Sequence, residues 1–221
     1  MRYDRTRQSA RRAMVFASAV TVISLTAAGC TKISPGAEPA TTGAAGASAS
    51  VNAGHSDVTR VAALLQVGIQ RANQKDWAGA TTTFQDVLAI NPGNVYALYN
   101  LGVIDQTKDN PAAAIGYYKQ ALTVSKKYTP AMYNMAILLE KPDPRQALSL
   151  YQRIVAINPQ ASTAYLRMAF VQADLGENSA AHASYASAIA IDPSLGKYPL
   201  PSKATATATA TASMTATPTR S

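Results

Sequence analysis

Residues 95–128 read VYALYNLGVIDQTKDNPAAAIGYYKQALTVSKKY, and this stretch parses as two helices joined by a turn. Leu98, Leu101 and Ile104 lie on one side of a first helix, Val95 to about Thr107. Ala114, Tyr118, Ala121 and Leu122 stand at i, i+4, i+7 and i+8 of a second, Pro111 to about Ser125. That spacing is an apolar helical stripe. Lys108-Asp109-Asn110 supplies the turn, and Pro111 sits at a helix start, where its missing N–H costs nothing. Gly102 and Ala114 are small where the two helices cross. Tyr118 is expected to fill the space toward the next such pair.

The same pattern recurs on both sides. A small residue returns at Gly68, Gly102, Ala136 and Ala169, alanine at Ala80, Ala114, Ala147 and Ala181, and an aromatic at Phe84, Tyr118, Tyr151 and Tyr185. Every step is 34 or 33 residues. The units also end alike, at Asn91-Pro92, Asn158-Pro159 and Asp192-Pro193; in the second unit Lys126 replaces the proline and Pro130 follows. Proline stops a helix, and the preceding Asn or Asp suits the turn. The third unit is one residue short at the turn Lys141–Arg145. A period near 34 describes stacked supersecondary units, each burying its apolar face only on its neighbours, not one compact catalytic fold.

Leu98-Tyr99-Asn100-Leu101-Gly102, the recurring Ala-x3-aromatic-x2-Ala (Ala114, Tyr118, Ala121; Ala181, Tyr185, Ala188), Asp76-Trp77 and Leu175-Gly176 resemble the tetratricopeptide repeat (TPR) family. The resemblance implies an all-α fold, a right-handed α-solenoid of four TPR helix-turn-helix units flanked by disordered tails. The domain spans 57–195, with units at about 61–94, 95–128, 129–161 and 162–195. It also implies a protein or peptide ligand held in the concave groove of the first helices. Carried onto this chain, the groove positions are Leu65, Ile69, Tyr96, Tyr99, Asn100, Val103, Tyr133, Asn134, Ile137, Leu166, Arg167 and Phe170. The family's chaperone-binding members grip a terminal carboxylate with lysines, asparagines and an arginine. Here only Asn100 matches in one frame, and Asn134 and Arg167 in the next, so that subtype is excluded. Such arrays usually end in a polar capping helix. Leu195–Leu200 is short and contains Pro199, so the last helix is expected to expose an apolar edge, which suggests a homodimer.

The front of the chain reads as an address. Residues 1–12 carry five arginines, 13–29 are uncharged and mostly apolar, and Ala27-Ala28-Gly29 leads into Cys30, the one cysteine. Basic start, apolar run and small-residue end describe an export signal over 1–29. Leu25–Cys30 resembles a bacterial lipobox, with Ala27 where leucine is usual. The resemblance implies lipidation of Cys30, and two acyl chains hold a protein stably on a membrane where one is marginal. Arg11-Arg12 is similar to a twin-arginine signal. An uncleaved anchor or plain secretion are the alternatives. A run of 17 residues spans about 25 Å, short of the ~30 Å hydrocarbon core. Residues 30–56 and 196–221 are Ala-, Gly-, Ser-, Thr- and Pro-rich, expected to be a flexible linker and a disordered tail.

Net charge is +8, but half of the surplus falls in residues 1–12; the repeats are nearly balanced, with no basic stripe, which argues against nucleic acid. Cys30, His55 and His182 cannot build a metal site. His182 is expected to face solvent. No phosphate-binding loop, metalloprotease motif or nucleophile–base pair appears, so the sequence predicts no enzyme and no cofactor. The expected function is an envelope-anchored interaction scaffold on the outer face of the cytoplasmic membrane. A structural subunit that oligomerises through its terminal repeat, or an accessory to an envelope enzyme, are the other readings.

Overall fold

The computed structural model describes residues 45–201, with side chains from Ser56. Among these residues eight α-helices follow one another without a strand. They are α1 (Ala45–Asn73), α2 (Trp77–Ile90), α3 (Val95–Thr107), α4 (Pro111–Val124), α5 (Thr129–Leu139), α6 (Pro144–Ile157), α7 (Ser162–Asp174) and α8 (Asn178–Ile191). A 3₁₀ turn, Pro193–Lys197, closes the series. The signal segment, Cys30, the linker up to residue 44 and the tail beyond Pro201 lie outside the described residues.

The helices pair as α1–α2, α3–α4, α5–α6 and α7–α8, and each pair packs on the next, as an all-α TPR solenoid requires. One difference concerns the linker: α1 begins at Ala45, not near residue 57. No proline interrupts 40–73, so a helix nucleated by packing of its second half propagates backward at one hydrogen bond per residue.

Two turns recur. Within three of the units the first helix ends on a left-handed residue: Lys75 (φ 62°), Asp109 (φ 59°) and Gly176 (φ 82°). The next N–H then reaches back five residues, from Asp76 to the Arg71 carbonyl at 2.9 Å, from Asn110 to Asp105 at 2.9 Å and from Glu177 to Gln172 at 2.8 Å. This is the Schellman closure, which satisfies carbonyls the helix leaves open. The third unit is short because it omits that residue; Asp143 N–H bonds the Leu139 carbonyl instead. Between units, Asn94, Tyr128, Ala161 and Leu195 each donate back to Asn91, Ser125, Asn158 and Asp192 at 3.0–3.1 Å. Side chains cap the following helices: Asp76 accepts from Gly79 N–H, Asn94 from Ala97 and Asp143 from Gln146, each at 3.0 Å.

The core is a row of aromatic and small residues along the stack. Phe84, Tyr118 and Tyr151 are fully buried, as are Ala80, Ala114 and Ala147. The small residue on each first helix faces the aromatic ring: a Cβ on Gly68 would stand 2.7 Å from Phe84, and one on Gly102 2.5 Å from Tyr118. Tyr185 is only half-buried, since among the described residues the terminal turn alone follows α8. Its hydroxyl donates to the Gly196 carbonyl at 3.2 Å, and Leu195 is buried beneath the terminal turn. The end of the array therefore differs from expectation. Among the described residues no large apolar side chain of α8 is strongly exposed, whereas Val67, on α1, is 42% exposed.

Candidate partner-binding groove

The first helices touch one another along the stack, α1 on α3 and α3 on α5, while α2, α4 and α6 each pack on the following first helix. The array thus curves toward its first helices, and their free sides form the inner surface.

Tyr96 is the most exposed ring there, at 47%. It stands edge-on to Tyr128, centroids 6.0 Å apart at 88°. Tyr99 meets the same ring at 5.5 Å and 80°. Edge-to-face pairing holds these rings upright. Tyr99 also lies 6.0 Å from Tyr118, and Asn134 donates to both phenol oxygens, at 3.2 and 3.4 Å. Val103 and Tyr133 are half-buried against the core, and Tyr133 packs on Tyr151 at 5.9 Å. Leu65 and Ile69 are half-buried against the first hairpin. Ile137 and Phe170 are partly exposed. Asn100 is folded onto its own helix, donating to the Tyr96 carbonyl at 2.8 Å.

Two expected groove residues are not on the surface. Leu166 is fully buried and Arg167 is 2% exposed. Arg167 turns into the seam between the third and fourth units and pairs with Glu140 at 3.2 Å. Burial opposes its charge, but Glu140, with Tyr151 and Tyr133, more than offsets this, and its pKa is raised. Glu140 also accepts from the Tyr151 hydroxyl at 2.8 Å. The preceding seam repeats the arrangement in neutral form: Tyr118 donates to Gln106 at 2.7 Å, with Asn134 in the place of Arg167. Burial pushes Tyr99, Tyr118, Tyr128 and Tyr151 above the ordinary phenol pKa. These rings are neutral hydrogen-bonding groups at physiological pH. The groove side chains named from Tyr96 to Ile137 are aromatic, aliphatic or amide-bearing, and none of them is charged.

Sequence reasoning missed Tyr128, Gln106 and Glu140. The last two carried a signal, since each lies 12 or 11 residues before a core tyrosine, whereas Ala72 lies 12 before Phe84. Tyr128 carried none, because its counterparts Asn94 and Ala161 are not aromatic. His182 is exposed, as expected.

Residues 95–128 match the family model described as tetratricopeptide repeat. No curated protein matches the chain at a significant level. Among solved structures, MamA is 26% identical, with TM-score 0.54 over 57% of this chain and 75% of that one. YrrB, described as a TPR protein with an unusual peptide-binding site, is 20% identical, with TM-score 0.53 over 60% of this chain and 69% of its own. Pseudomonas aeruginosa pilF is 18% identical, with TM-score 0.56 over 62% of this chain and 64% of that one. The fold is that of a four-unit TPR solenoid.

Proposed function

We propose that the protein is an interaction scaffold that binds an extended, uncharged segment of a protein partner on the inner surface from Tyr96 to Ile137. The observation that carries this reading is Tyr96: a large ring, nearly half exposed, held upright by Tyr128 beside Tyr99 and Asn100. Rigid aromatic rings of this kind supply most of the energy at protein interfaces, about 2 kcal/mol or more for one anchor. Tyr99 and Asn134 support the surface from within, so Tyr96 is the position to probe. A photo-crosslinking residue at position 96 is expected to label one defined protein that the same probe at exposed Lys119 does not. Tyr96→Ala is expected to weaken that complex about thirtyfold while leaving the circular dichroism melt unchanged. Equal labelling from both positions, or unaltered affinity, overturns the assignment.

The sequence before residue 44 supports an envelope location. The basic start, apolar run and Ala27-Ala28-Gly29-Cys30 suit export followed by lipidation of Cys30. The scaffold then works at the outer face of the cytoplasmic membrane. Intact mass and membrane fractionation of wild type and Cys30→Ala test this. A mature wild-type chain starting at a lipid-bearing Cys30, and loss of both lipid and anchorage in the variant, are expected. An unprocessed wild-type chain overturns it.

A further inference from the structure

The two ends of the array carry the two halves of a joint that the chain builds three times inside itself. In each internal joint a second helix presents its aromatic and flanking apolar residues to the following first helix. The receiving positions are buried: Ala97, Leu98 and Leu101 in the second unit, Ala131, Met132 and Met135 in the third. The register places Ala63, Leu64 and Val67 of α1 at those same positions. There Ala63 and Val67 are exposed and Leu64 is half-buried, with no second helix before them among the described residues. Gln66, also exposed, holds the register of Asn134, the side chain that meets the tyrosine hydroxyl across an internal joint.

The other end supplies the missing half. Among the described residues α8 is a second helix followed by the terminal turn and not by a first helix, and Pro199 and Pro201 stand where a fifth would begin. Tyr185 keeps the aromatic position, half-buried, and Ile189 holds the register of Leu88, Leu122 and Val155. The Gly196 carbonyl holds the terminal turn against Tyr185 and leaves the side of α8 around His182 exposed. His182 stands in the register of Thr81, Ile115 and Leu148, all half-buried in internal joints.

We infer that α8 of one copy docks on α1 of the next, so that copies of this chain join head to tail and continue the solenoid. The contact uses two different faces. It therefore leaves a free face at each end of every oligomer and extends rather than closing as a symmetric dimer.

The test is sedimentation velocity of the purified full chain in mild detergent over a concentration series. The wild-type mass is expected to climb past the dimer as concentration rises. Val67→Glu at the head and His182→Glu at the tail each change an exposed residue, and each variant is expected to stay monomeric alone. Mixed in equal amounts, they retain one intact tail and one intact head and are expected to form a dimer and nothing larger. A wild-type chain that stays monomeric throughout overturns the inference. So does a wild type that stops at the dimer while the mixed variants remain apart, which is the signature of a symmetric contact. Should circular dichroism show Val67→Glu unfolded, Ala63→Lys probes the same face.

Discussion

A methyl group on Gly102 would stand 2.5 Å from the Tyr118 ring, and that ring is fully buried with its hydroxyl held by Gln106. It cannot swing aside without loosening the seam behind it. Gly102→Ala is expected to cost about 1–3 kcal/mol, the usual range for overpacking a filled core. Gly116, on the partner helix α4, is the control, since a Cβ there meets nothing within 4 Å. Gly116→Ala is expected to gain up to about 1 kcal/mol by removing a flexible residue from a helix interior. Urea denaturation of the two single variants separates them by sign. The contrast was half legible in the sequence. Spacing placed Gly102 in the periodic framework and Gly116 outside it, but only the structure shows that Gly102 answers to a ring rather than to a helix backbone. Arg167 was misread for a related reason. Register assigns a position to a face, whereas a long side chain chooses its partner, and Glu140 lies within its reach on the preceding unit.

At the scale of the helix, the turns decide where each element stops. Lys75 and Asp109 hold the left-handed conformation that Gly176 holds in the fourth unit. A side chain in that conformation costs roughly 1–2 kcal/mol that glycine avoids, and glycine gives back part of this through its greater freedom when unfolded. Lys75→Gly and Asp109→Gly are each expected to raise stability by about 0.5–1 kcal/mol, and to act additively because they close different hairpins. Thermal melts of the singles and the double variant check both statements. The helices were almost fully legible from the sequence, α3 and α4 nearly to the residue, because apolar period, Pro111 and the Asn-Pro stops agree on the boundaries. The start of α1 was not. Residues 45–56 carry none of those signals, and their helix is a continuation of what packs further along. The Schellman turns were hidden too, since only one of the three left-handed residues is glycine.

Along the whole array, stability is carried seam by seam, and the seams are not alike. The second and third hold a buried tyrosine hydroxyl in a hydrogen-bonded latch, Tyr118 with Gln106 and Asn134, Tyr151 with Glu140, which Arg167 pairs. Their phenol pKa values are raised by burial, Tyr151's also by the Glu140 charge. Below about pH 10 both folded and unfolded chains keep these protons, so the contribution is complete. Above it the unfolded chain ionises first, and stability falls by up to about 1.4 kcal/mol per pH unit for each such group. The urea midpoint is therefore expected to drop as pH rises past about 10, less steeply in Tyr151→Phe. The first seam lacks a latch: Phe84 has no hydroxyl, Ala72 stands where Gln106 and Glu140 do, and Asn100, in the register of Asn134, bonds its own helix instead. Two of the three parts are missing and the third is already in place. Phe84→Tyr alone would bury an unmet hydroxyl and is expected to cost about 1–3 kcal/mol. Ala72→Gln alone is expected to change little, since nothing there calls for an amide. Together they reproduce the 12-residue spacing of Gln106 and Tyr118, and Asn100 would have to exchange its bond to the Tyr96 carbonyl for one to the new phenol. A double-mutant cycle is expected to return a favourable coupling of about 0.5–3 kcal/mol. Hydrogen exchange should then show α1 and α2 opening less readily than in wild type, because in a linear array a stronger seam protects the unit at its end. A coupling of zero would mean that the latches fill space in the second and third seams without holding the units together.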